Sequence, residues 1–109
     1  MKKAKKGVKV VINTCYGGFG LSEKASVMFN ELENTQPGDE NYIDPKYGYY
    51  DGLRHNKSLV KVVEKLKKKS WGTYAELVVV KLTGNKYIIE EYDGTEGIQE
   101  PNGINWITV

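Results

Sequence analysis

The chain has 109 residues, enough for one hydrophobic core and too few for a second domain. Its 39% hydrophobic and 28% charged residues exclude wholesale disorder, and its longest apolar runs, Val10-Val11-Ile12 and Leu77 to Val80, are strand-sized and too short to span a bilayer. The net charge of +2 conceals a basic head, Lys2, Lys3, Lys5 and Lys6, which leaves the remainder at −2; charge therefore names no partner and argues against nucleic acid.

In chain order, residues 1–7 read as a solvated, flexible basic terminus, followed by a single domain over 8–109. A lysine at position 9 interrupts the apolar region that a signal peptide would need, and the lone Cys15 has no disulfide partner; both point to the cytoplasm. Val8 to Thr14 predicts a strand, apolar on both faces around Val10-Val11-Ile12, as a covered strand requires. Gly17, Gly18 and Gly20 break it, and Ser22 is placed to cap a helix over Glu23 to about Glu33, with Ala25, Met28, Phe29 and Leu32 as its inward stripe. After the turn composition Gln36-Pro37-Gly38-Asp39, residues Glu40 to Leu53 have neither helical nor strand period. Their tyrosines, Tyr42, Tyr47, Tyr49 and Tyr50, predict an ordered aromatic loop serving as a cover or subunit contact, with base stacking as the alternative.

Asn56 then caps a predicted second helix, about Lys57 to Lys68, with the stripe Leu59, Val62, Val63 and Leu66. From Ala75 the pattern turns to β. Ala75 to Leu82, a Thr83-Gly84-Asn85 turn and Lys86 to Tyr92 read as a hairpin, Asp93-Gly94 as a second turn, and Ile98 and Ile104 to Val109 as further short strands. The expected class is α+β, in the order βααβββ, with two helices packed on a mainly antiparallel sheet.

The segment with most chemical potential is Asn13-Thr14-Cys15-Tyr16-Gly17-Gly18-Phe19-Gly20, between the first strand and first helix. Its glycines allow positive φ and close backbone approach, the capped helix start at Ser22 favours an anion, and Asn13, Tyr16, Phe19 and Ser22 add polar groups and aromatic faces. It is not a Walker A loop, because Gly-Lys-Ser/Thr is missing, and not a dinucleotide fingerprint, because Glu23 stands where a third glycine would be. The alternative is a tight strand-to-helix connection with Phe19 anchored in the core. Arg54, the lone arginine, is a second candidate contact for phosphate or carboxylate, or else a partner in an ion pair. Glu90, Glu91, Asp93 and Glu96 gather near a hairpin end, where a solvated acidic face is the expectation for most of them. With a single histidine, His55, no histidine-rich metal site can form, and no base is evident for Cys15, so neither a metal, a cofactor nor a catalytic set is expected.

The run Val11-Ile12-Asn13-Thr14-Cys15-Tyr16-Gly17-Gly18-Phe19-Gly20-Leu21-Ser22, followed by Ala25, resembles the N-terminal signature of a family of short, mostly uncharacterised bacteriophage and prophage proteins. The resemblance continues through Arg54, Leu59-Val60, Val62-Val63-Glu64 and Leu66, then Tyr87, Ile89 and Glu91-Tyr92-Asp93-Gly94. Members carry Asp-Pro where this chain has Asn56-Lys57, and the tyrosine loop and the Pro101-Asn102-Gly103-Ile104-Asn105-Trp106 end diverge. What the resemblance implies is a protein in the cytoplasm of a bacterial host that binds a small nucleotide-like anion, by analogy with phage sponges that sequester immune signals. Tyr92 and Asp93 join the site by the same route, and a homo-oligomer is compatible with it. A small phosphoryl- or acyl-transfer enzyme, and an interaction protein using the lysine head, are the competing readings.

Overall fold

The computed structural model describes residues 8–84 and 86–100, and they form an α+β fold in the expected order. Strand β1 (Lys9–Asn13) leads into helix α1 (Glu23–Glu33), helix α2 (Lys57–Leu66) and a 3-10 turn at Lys67–Ser70. Strands β2 (Leu77–Lys81), β3 (Ile88–Tyr92) and β4 (Thr95–Gln99) follow. The basic head, Asn85 and the expected strand at Ile104 to Val109 lie outside the described residues.

Strand pairing differs from the expected hairpin. β2 does not pair with β3; it runs antiparallel to β1, with Val11 opposite Val79, while β3 pairs with β4. Two two-stranded sheets result, stacked through β1. Side-chain alternation explains how β1 serves both, since successive residues point to opposite faces. Val11 joins Leu77 and Val79 against the helices, whereas Val10 and Ile12 join Leu82, Tyr87, Ile89 and Ile98 on the hairpin side. Val10 and Val11 are both fully buried, which accounts for an apolar run without alternation.

Ser22 caps α1 as its type predicts, its Oγ accepting from Ala25 N at 3.1 Å, and Asn56 Oδ1 caps α2 through Leu59 N at 2.9 Å. The inward stripe of α1 is rotated from the expected one. Ala25 and Phe29 are buried, but Leu32 is exposed and Ser26 and Asn30 are buried in its place. The cause is a polar clamp: Asn30 Nδ2 donates to Ile43 O at 2.7 Å and its Oδ1 accepts from Ile43 N at 2.9 Å, holding the aromatic loop to the helix. α2 buries Leu59, Val62 and Val63 and ends at Leu66, two residues earlier than expected, because Lys67 adopts φ 53 and the Ser70 hydroxyl closes a 3-10 turn on Lys67 O at 2.6 Å. The 40–53 segment is an ordered loop without helix or strand: Ile43 and Tyr50 enter the core while Tyr47 and Tyr49 face outward. No described helix is long and apolar enough to cross a membrane.

Candidate functional site

The loop after β1 is built around Asn13, which is completely buried. Its Nδ2 donates to Cys15 O and Gly94 O, both at 2.7 Å. Its Oδ1 accepts from Cys15 N at 3.2 Å and Glu76 N at 2.9 Å. Those four bonds use the full capacity of a side-chain amide, so Asn13 clips the loop, the start of β2 and the β3–β4 turn together and has no hydrogen-bonding capacity left for a ligand.

Close packing sets Gly17 of the loop and Gly94 of the turn that meets it. A Cβ on Gly17 would overlap Tyr74 Cβ and its carbonyl, and one on Gly94 would overlap Tyr16 O and sit 2.8 Å from Gly18 N. The Asp93-Gly94 turn thus seats directly against Tyr16–Gly18, with Gly18 itself at φ 97. Gly20, by contrast, has open space around it, and its carbonyl accepts from Gly72 N at 2.9 Å.

Arg54 lies across the ring of Phe19, its guanidinium carbon 3.9 Å from the ring centroid, and pairs with Glu96. Both side chains are largely buried, and Glu96 Oε1 also accepts from Asn13 N at 2.9 Å. Glu96 therefore departs from the expected solvated acidic face, because β4 carries it under the loop toward the arginine. Glu91 and Asp93 are exposed, the Glu91 carboxylate accepting from Gly94 N at 2.8 Å. On its other side Phe19 approaches Tyr50, with ring centroids 6.0 Å apart.

The residues singled out from sequence therefore divide. Asn13, Tyr16, Gly17, Gly18, Phe19, Arg54, Tyr92 and Asp93 converge on one end of the β1–β4 contact. Ser22 does not join them: its Oγ donates to Lys69 O at 2.6 Å while capping α1, and its N–H donates to Ser70 O at 2.9 Å. Two residues belong to the same end without having been expected there. Tyr74 precedes β2 in a segment with no pattern to mark it, and Glu96 looked like one acid among several.

What this end offers a ligand lies on its rim. The backbone N–H groups of Tyr16, Gly17, Phe19 and Gly20 meet no acceptor among the described residues. Tyr16 on the loop, Tyr74 against Gly17 and Tyr92 beside the Asp93-Gly94 turn are 70%, 72% and 72% exposed. Cys15 is half-buried, and its side chain makes no hydrogen bond to the described residues. His55 is engaged elsewhere, its Nδ1 lying 2.8 Å from the Tyr87 hydroxyl, whose burial pushes the phenol pKa up. Among the described residues no cluster of three or more metal-ligating side chains occurs. Compared with protein-family models, curated proteins and solved structures, the chain matches none.

Proposed function

We propose that this protein is a binding module that holds a small nucleotide-like anion on the rim of the Asn13–Gly20 loop and returns it unchanged. In the phage setting that the sequence resemblance implies, such a module would sequester a nucleotide-derived signal of host immunity. The observation that supports this is one coincidence: backbone N–H groups without acceptors lie on the loop that carries the exposed Tyr16, and two further exposed tyrosines, Tyr74 and Tyr92, belong to segments that abut it. Successive N–H groups in a glycine turn suit an anion, and an exposed tyrosine face can stack on a base for about 1–3 kcal/mol. The Asn13 clip and the Arg54–Glu96 pair supply the rigidity, so little conformational entropy is lost when the rim is occupied.

A thermal-shift screen against mononucleotides and cyclic nucleotides tests the reading. Ligand at 100 times its dissociation constant is expected to add about 2.7 kcal/mol of apparent stability. Tyr16→Ala and Tyr92→Ala should remove the shift while leaving the unliganded melting temperature unchanged, since both side chains are exposed. Heating the complex should release the ligand intact. A released product would establish an enzyme instead, and no shift with any nucleotide would remove the ligand class.

A further inference from the structure

A second recess lies away from this rim, beneath the aromatic loop. It is a groove of about 410 Å³, within the size range of small-molecule sites. Phe29, Ile43 and Tyr50, all buried, are its apolar lining, and Tyr42 and Tyr49 add aromatic surface. The charged groups that line it are the carboxylates of Glu40 and Asp51, both exposed; no lysine or arginine lines it.

Three of the other polar side chains at the groove are engaged. The Tyr50 hydroxyl donates to Leu53 O at 2.5 Å, Asn56 Oδ1 caps α2, and Asn41 Nδ2 reaches Glu33 Oε1 at 3.5 Å. The last contact brings a third carboxylate to the neighbourhood. What the groove presents is therefore aromatic faces, apolar walls and negative charge. Aromatic rings carry negative potential on their faces, and the combination attracts a cation with a hydrocarbon body while repelling phosphate.

We propose that this groove binds a free organic cation of the linear polyamine type, its methylenes against the Tyr42 and Tyr49 rings and its ammonium groups on Glu40 and Asp51. Its charge is opposite to that of the ligand proposed for the loop rim, so the two sites are independent and either can exist without the other.

Titration calorimetry with spermidine in buffer containing physiological salt tests the site, with ring resonances of Tyr42 and Tyr49 followed by NMR. Saturable one-site binding with a dissociation constant below about 1 mM is expected, together with shifts of both rings. Tyr49→Ala should weaken binding about fivefold, in keeping with loss of a partly exposed cation–π contact. The double variant Glu40→Gln/Asp51→Asn should weaken it more than tenfold. All three side chains are exposed, so these variants should keep the parent melting temperature. The proposal is overturned if no saturable heat appears, if the variants bind as tightly as the parent, or if magnesium at equal concentration shifts the same rings equally.

Discussion

Asn13 shows how far the role of one residue depends on partners distant in sequence. Beside a glycine cluster its amide reads as a polar group available to a ligand. In the folded chain it bonds to Glu76 N, 63 residues away, and to Gly94 O, 81 residues away, and its capacity is spent. Asn13→Ala would leave two carbonyls and two N–H groups short of partners in a part-buried site. At the cost of a broken buried polar network, about 3 kcal/mol of stability should be lost, measured by urea denaturation. The residue type and its place at a strand end were legible in the sequence. Its saturation was not, because a side-chain amide can face inward or outward until tertiary contacts supply or withhold acceptors.

Among the elements, the β3–β4 hairpin was half visible. Asp93-Gly94 reads as a turn, and it is one, with φ 52 and 92 at its two central residues, the twist that suits a two-residue hairpin. The strands on either side of that turn are the expected ones; what differs is the partner of β2, because Thr83-Gly84-Asn85 offers an equally good local signal for pairing Ala75–Leu82 with Lys86–Tyr92. Local turn chemistry cannot weigh against β1, which arrives from 68 residues earlier with both faces apolar and claims β2 as its neighbour. The turn is also where the hairpin meets the loop. Gly94→Ala combines positive φ with overlap on Tyr16 O and should cost about 2 kcal/mol. Gly20→Ala has open space and should change stability by less than about 1 kcal/mol. Thermal melts of the two variants side by side check the contrast, and equal losses would contradict the seating of the turn on Tyr16.

For the molecule as a whole, Tyr50 joins the parts. Its ring stands edge-on to Phe29 of α1 with centroids 5.5 Å apart and leans on Phe19 of the loop, while its hydroxyl holds Leu53 O. Burial pushes its pKa up to about 12. The unfolded chain, with an ordinary phenol near 10, loses this proton first. The stabilisation is therefore complete below about pH 10 and declines as the pH rises from about 10 to 12. Tyr50→Phe should flatten stability across that window, at a cost of about 1 kcal/mol at neutral pH for the lost hydrogen bond. Denaturation at pH 8 and pH 11 for both proteins isolates the effect, since the two differ only in the Tyr50 hydroxyl.

By itself the sequence determined the local elements: the doubly covered β1 from Val10-Val11-Ile12, both helix starts from Ser22 and Asn56, the inward face of α2, and the Asp93-Gly94 turn. These follow from side-chain periodicity, capping and backbone conformation, which act within a few residues. Tertiary structure alone decided that β2 pairs with β1, that Asn30 and not Leu32 turns inward, that Glu96 is Arg54's partner, and that Tyr74 joins Tyr16 and Tyr92 around the loop. Each depends on a contact between distant positions, where burial and hydrogen-bond satisfaction of the whole chain outweigh the preference of any one segment.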